Sequence, residues 1–146
     1  MVINIAICDD DKLICSQIEN ALLSYTNSIC LEVKLSVFYG GKSLLDYIEQ
    51  GFPLDVLYLD IEMDQIDGIE VGRRLRKVLR NHEIEIIYIS GHDHYDRQLF
   101  DVQPLHFVQT RGQTRKHAQT RGRFSCLSPF LNLHFIDPVN GEAGKP

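Results

Sequence analysis

The chain has 146 residues, of which 44% are hydrophobic and 24% charged, and its formal net charge is −5. This length and composition fit one globular domain that buries most of its apolar surface. No apolar run is long enough to span a membrane, and the N-terminus lacks the basic start and long apolar core of a signal peptide. We therefore expect a cytoplasmic protein with no membrane partner.

Strand-like and helix-like patterns alternate along the first part of the chain. Short apolar or alternating runs predict strands over residues 2–8, 31–38, 54–60, 84–90 and 105–109. Apolar residues at helical spacing predict helices over residues 12–26, 43–50, 68–80 and 93–102. This order indicates an α/β protein with a doubly wound, five-stranded parallel sheet and helices on both faces.

Two predicted helices carry more detailed expectations. Leu13 belongs to the apolar stripe of the first helix, and Val78 belongs to the stripe of the third. The arginines and the lysine of the third helix are expected on the opposite face, and Asn81 is expected to cap its end.

Polar side chains follow three predicted strands at the point where each strand ends. Asp9 and Asp10 follow the first strand, Asp60 ends the third and Ser90 ends the fourth. Ligands of such sheets bind at the carboxyl ends of the strands, beside the point where the strand order reverses. We therefore expect these residues to line one crevice.

Helix capping is the simpler explanation for acids in these positions, because Asp is a favoured N-cap. It accounts for Asp11 and Asp67. It does not account for Asp60, because Gly68 is too far downstream for Asp60 to cap its helix. A cluster of carboxylate oxygens with room for water suits a hard divalent cation such as Mg²⁺.

Four stretches together resemble the receiver domain of two-component response regulators. ICDDD follows the first strand, LYLDIEM ends the third, a D-G pair precedes the third helix, and YISG ends the fourth strand. The resemblance covers residues 2–107. It implies a flavodoxin-like fold that accepts a phosphoryl group from a sensor histidine kinase and acts as a signalling switch, without turnover as an enzyme.

The resemblance also implies a role for each residue of the site. Asp60 is the phosphoacceptor, Ser90 is the hydroxyl that senses the phosphoryl group, and Phe107 is the switch aromatic of the last strand. The residues that hold Mg²⁺ would be Asp10 and Asp60 through their carboxylates, Glu62 through its backbone carbonyl, and Asp9 through a water molecule.

The finer pattern resembles one branch of this family. IAICDDD, LDIEM followed by DGIE, and DRQLFDVQPLHF are similar to receivers of the LytTR type, which carry a β-rich DNA-binding output domain. The chain after residue 107 is too short and of the wrong composition for that domain. We therefore expect control of transcription, with DNA contact only through an output domain that this chain does not contain.

The resemblance stops near residue 108. Thr110 and Arg111 occupy the positions where most of the family has a Lys-Pro pair before a fifth helix, and residues 108–146 hold 6 Lys and Arg against 2 Asp and Glu. We expect a receiver domain over residues 1–109 and an atypical basic tail over 110–146, either partly disordered or not native coding. A missing fifth helix would bare one sheet face and favour a homodimer or other self-association.

Two other functions are compatible with an aspartate at a strand end. A Mg²⁺-dependent phosphohydrolase of the haloacid-dehalogenase type uses such a nucleophile, but has a second aspartate two residues later, where this chain has Glu62. A degenerate receiver could bind partners without being phosphorylated.

Overall fold

The computed structural model describes residues 1–90 and the backbone of the strand His106–Gln109. Five parallel strands form one sheet, and they are β1 (Ile3–Cys8), β2 (Val33–Phe38), β3 (Val56–Asp60), β4 (Glu85–Ser90) and β5 (His106–Gln109). The strand order is β2-β1-β3-β4-β5. The direction of winding therefore reverses between β1 and β3, and the predicted doubly wound parallel sheet is confirmed.

Three helices connect the first four strands. They are α1 (Lys12–Ser28), α2 (Gly41–Glu49) and α3 (Gly68–Arg73), and α3 continues into a π-helical turn over Arg74–Val78. The helix expected over 93–102 and the tail after residue 109 lie outside the described residues. Among the helices that are described, none combines the length and apolar character needed to cross a membrane.

The sheet separates two apolar layers. On one face, α1 contributes Cys15, Ile18 and Leu22, which pack with strand residues such as Tyr58. On the other face, α2 and α3 contribute buried side chains that pack against Leu57 and its neighbours, among them Leu44, Leu45, Ile69, Val71 and Leu75. Helices therefore cover both faces, as the continuous apolar strands predicted.

Two predictions about the helix surfaces were wrong. The side chain of Leu13 is 65% exposed, because it lies in the first turn of α1 and outside the buried stripe of that helix. Val78 is 71% exposed, whereas Arg76, which we had expected in solvent, is only 6% exposed. Only the end of the third helix therefore departs from the prediction, because Ile69, Val71 and Leu75 are buried as a regular α-helix predicts.

The π-helical turn explains that difference. The N–H of Leu79 donates to the carbonyl of Arg74 at 2.9 Å, which spans five residues instead of four. The wider turn rotates the residues that follow it relative to a regular helix. The Arg76 guanidinium then turns inward, where Nη1 donates to the carbonyl of Asn81 at 2.8 Å. Asn81 caps the end of the helix through its backbone N–H, which donates to the carbonyl of Leu75 at 2.9 Å. Its side chain accepts from the N–H groups of Glu83 and Ile84 in the next loop.

Candidate functional site

The strand register brings the two acidic segments to the same edge of the sheet. Cys8 pairs with Leu59, so Asp9 and Asp60 follow on adjacent strands. One carboxylate oxygen from each of Asp9, Asp10 and Asp60 lies within 4.8 Å of the other two. Asp9 is buried, Asp60 is half-buried and Asp10 is exposed. Among the described residues, the cluster therefore reaches solvent through Asp10.

Backbone N–H groups fix the orientation of the three carboxylates. Each carboxylate accepts one such hydrogen bond, from Asp11 to Asp9 (2.8 Å), from Asp64 to Asp10 (3.3 Å) and from Glu62 to Asp60 (3.3 Å). Within residues 1–90, the second oxygen of each carboxylate makes no side-chain hydrogen bond or ion pair. The cluster therefore presents three oriented oxygens with lone pairs available to a ligand.

The described residues compensate little of the negative charge of the cluster. Burial, together with the charge of Asp9, raises the pKa of Asp60 to about 7, against an ordinary value of 3.8. Burial likewise raises the pKa of Asp9 to about 6, although the hydrogen bond from Asp11 opposes the change. The ion pairs of Lys42 with Asp46 and of Arg73 and Arg74 with Glu70 do not include any of the three clustered acids.

These residues fit a bound Mg²⁺. Mg²⁺ takes oxygen ligands, and proteins commonly supply only one or two carboxylates and leave the other positions to water. The cluster offers three carboxylates at an open edge. The backbone of Glu62 lies beside it, since its N–H contacts Asp60. Burial and, to a lesser extent, the neighbouring acids raise both pKa values, and a divalent cation would favour the ionised carboxylates against both effects.

The neighbouring acids Asp11 and Asp67 act as helix caps, as predicted. The Asp11 carboxylate accepts from the N–H groups of Leu13 and Ile14 at the start of α1. Asp67 accepts from the N–H of Glu70 at 2.8 Å at the start of α3. Their hydrogen bonds are satisfied within the helices, so the candidate site consists of the other three acids.

Ser90 and Phe107 lie on the strands beyond β3. Asp60 pairs with Ile89, so Ser90 is the next residue along the neighbouring strand. Phe107 pairs with Tyr88 on β5. The structure describes only the backbone of Phe107 and the strand position of Ser90, and their roles remain predictions.

The sequence analysis missed two residues that support the site, Gly68 and Tyr88. A Cβ atom on Gly68 would lie 2.1 Å from the carbonyl oxygen of Asp60, so α3 begins in direct contact with the end of β3. The Tyr88 hydroxyl donates to the carbonyl of Gly68 at 3.2 Å. In the sequence, the D-G pair indicates a helix start, and a tyrosine within a buried strand indicates that its hydroxyl needs a hydrogen-bond partner. Neither pattern indicates that Gly68 is the partner of Tyr88.

Comparison with known proteins agrees with this geometry. The family model of the response regulator receiver domain matches residues 5–108. A sensory transduction protein LytT from Oceanobacillus iheyensis is 31% identical over 108 residues, covering 74% of this chain and 42% of the relative. The LytT protein of Bacillus subtilis is 24% identical over 127 residues, covering 87% of this chain and 50% of the relative. The chain thus spans half the length, or less, of these two relatives.

Solved structures show the same fold. The response regulator protein TrrA from Thermotoga maritima, determined in complex with Mg²⁺ and BeF, superposes with a TM-score of 0.64 at 21% identity. The match covers 89% of this chain and 96% of that one. The family model covers most of the chain, and the doubly wound parallel sheet with its acidic edge is the one expected from the sequence. The chain belongs to the response regulator receiver domain family.

Proposed function

We propose that Asp60 accepts a phosphoryl group and that Asp9, Asp10, Asp60 and the backbone carbonyl of Glu62 hold Mg²⁺ beside it. The observation that supports this most strongly is the convergence of three carboxylates within 4.8 Å at the reversal point of the sheet. Receiver domains are signalling switches. We propose that this chain is likewise phosphorylated once per signal and does not turn over a small-molecule substrate.

The chemistry follows from the environment of Asp60. One oxygen accepts from the N–H of Glu62, and the other is available to attack phosphorus. The new O–P bond forms as the P–N bond of a phosphohistidine breaks, and the electron pair leaves with the imidazole nitrogen. Bound Mg²⁺ would neutralise charge on the transferring oxygens. Asp60 attacks as the ionised carboxylate, and its raised pKa favours the protonated form instead. A bound cation would stabilise the carboxylate and so increase the reactive fraction of Asp60.

The phosphorylated site would act on the neighbouring strands. An aspartyl phosphate adds negative charge and strong acceptors at the end of β3. We assign Ser90, at the end of the adjacent β4, as the hydroxyl that donates to it, and Phe107 on β5 as the aromatic that responds. The effect of phosphorylation would pass from β3 to β4 and then to β5, which are neighbours in the sheet. The surface beside β5 would then switch between two conformations.

The partner that follows from this reaction is a sensor histidine kinase, which we place with the chain in the cytoplasm. The LytT relatives extend well beyond the matched region. We propose that this receiver controls transcription through a DNA-binding output domain of the LytTR type. The receiver would occupy residues 1–109, followed by the basic tail over 110–146. Without the usual fifth helix, one sheet face would be bare, which would favour self-association.

The test is incubation with acetyl phosphate and Mg²⁺, read by intact mass. We expect the gain of one phosphoryl group by the wild-type chain and none by Asp60→Asn. Asp67→Asn is the matched control, because it removes an acid from the same loop while an asparagine can still cap α3. We expect this control to be labelled like the wild type.

Other outcomes would contradict the proposal in different ways. Labelling of Asp60→Asn at the wild-type rate would mean that another residue is the acceptor. Continuous release of phosphate, without accumulation of labelled protein, would indicate a hydrolase of the haloacid-dehalogenase type. No labelling of the wild type under any Mg²⁺ concentration would indicate a degenerate receiver.

A further inference from the structure

Tyr88 has an unusual position for a polar side chain. It lies on β4 opposite Leu59, and its side chain is fully buried in the apolar layer beneath α2 and α3. A buried hydroxyl is costly unless it is hydrogen-bonded. The Tyr88 hydroxyl meets this need by donating to the carbonyl of Gly68, the first residue of α3, at 3.2 Å.

Gly68 is the residue that closes the loop between β3 and α3. Its N–H donates to the carbonyl of Ile61 at 2.9 Å, so the loop begins and ends at the same point. A Cβ at position 68 would lie 2.1 Å from the Asp60 carbonyl oxygen and 2.9 Å from the Ile61 Cα. The start of α3 therefore packs directly against the Asp60–Ile61 peptide.

The same loop orients two of the three carboxylates. The N–H of Glu62 donates to Asp60, and the N–H of Asp64 donates to Asp10. Both bonds are 3.3 Å long and lie on the exposed side of the site, where they are weaker than well-aligned bonds. Their geometry depends on the loop being held at its base.

We infer that the Tyr88 hydroxyl is a positioning group that holds the start of α3, and through it the β3–α3 loop, in the arrangement that binds the cation. The inference rests on the proposed Mg²⁺ site. Tyr88 does not touch the carboxylates and is not a catalytic residue. It acts through Gly68, at the junction where β4 lies beside both β3 and the start of α3.

The test is Tyr88→Phe, which removes one hydroxyl and keeps the ring that fills the apolar layer. Tyr58→Phe is the matched control. Tyr58 is also buried, but it lies in the opposite layer beneath α1, and its hydroxyl has no hydrogen-bond partner among residues 1–90. Both variants are compared with the wild-type chain at a temperature where all three are fully folded.

Two readouts are measured. The first is the amide exchange rate of Gly68 without Mg²⁺, which we expect to rise about fivefold in Tyr88→Phe, since the loop base opens more often. The second is the Kd for Mg²⁺ by calorimetry, which we expect to rise roughly threefold to tenfold. Tyr58→Phe should leave both quantities within about twofold of the wild type.

The outcomes separate the inference from the function on which it rests. If the wild type binds Mg²⁺ and Tyr88→Phe matches it in both readouts, the positioning role is wrong and the Mg²⁺ site stands. Equal changes in Tyr58→Phe would mean that loss of any buried hydroxyl loosens the fold, which also overturns the inference. If the wild type does not bind Mg²⁺, the proposed site itself is wrong, and the inference is overturned with it.

Discussion

At the scale of single residues, the site is built from charges that no described basic side chain neutralises. Asp9 is 3% exposed and Asp60 is half-buried, yet no basic side chain among the described residues pairs with either. Burying carboxylates in this way destabilises the protein unless a proton or a cation is bound. Both raised pKa values are a measure of that destabilisation.

The raised pKa values of Asp9 and Asp60 predict that the folded protein becomes less stable as the pH rises. Between an ordinary pKa of 3.8 and folded values of about 6 and 7, the folded state holds protons that the unfolded state has lost. The free energy of unfolding without Mg²⁺ should therefore fall as pH rises from about 4 to 7. Asp60→Asn should be more stable than the wild type at pH about 8, by several degrees in Tm, and the difference should shrink near pH 4.

Thermal unfolding of the two proteins in a chelator measures this directly. Asp67→Asn serves as the control, because its acid is satisfied as a helix cap. A wild-type Tm that rises steadily over this pH range, with no gain from Asp60→Asn at high pH, would contradict the assignment of uncompensated charge to the cluster.

At the scale of elements, the third helix differs most from what its sequence predicts. Its apolar spacing suggested a regular helix over 68–80, but the π-helical turn over Arg74–Val78 exposes Val78 and buries Arg76. The buried guanidinium donates to the carbonyl of Asn81, which ties the turn to the loop before β4. Arg76 therefore stabilises the connection between the third helix and β4, whereas the side chains of Arg73 and Arg74 are exposed to solvent.

Arg76→Ala should destabilise the fold by about 2 kcal/mol, because it removes a buried stem and leaves the Asn81 carbonyl without this donor. Arg74→Ala is the matched control. Arg74 forms an exposed ion pair with Glu70 at 3.0 Å, and its loss should cost less than about 1 kcal/mol. Urea unfolding of both variants gives the comparison. Equal losses would show that the burial of Arg76 contributes nothing particular.

At the scale of the whole molecule, the sequence predicted the features that depend on periodicity and strand order. Continuous apolar runs such as LDVLYLD predicted buried parallel strands, and these brought Asp9 and Asp60 to one edge. Contacts that depend on side-chain direction could not be predicted this way. The burial of Arg76 required one extra residue in a turn, and the Tyr88 to Gly68 bond joins residues 20 positions apart.

Binding of Mg²⁺ to the folded state should stabilise the whole domain. It joins carboxylates from β1 and β3 that the unfolded chain holds apart, so the gain in Tm should grow with Mg²⁺ concentration. Sodium chloride at the same ionic strength is the control, since screening alone also weakens repulsion. An equal shift with both salts would mean that no specific cation site exists. Asp10→Asn should reduce the Mg²⁺ shift, as it removes one of the three carboxylates.

The central claim is that the phosphoryl group is carried by one particular aspartate at the end of β3. The most direct measurement is borohydride reduction of the chain labelled by acetyl phosphate, followed by peptide mapping, because reduction converts a phosphorylated aspartate into homoserine. We expect homoserine at position 60 and unmodified aspartate at positions 9, 10, 64 and 67. Homoserine at any of those other positions, with Asp60 unchanged, would contradict the claim.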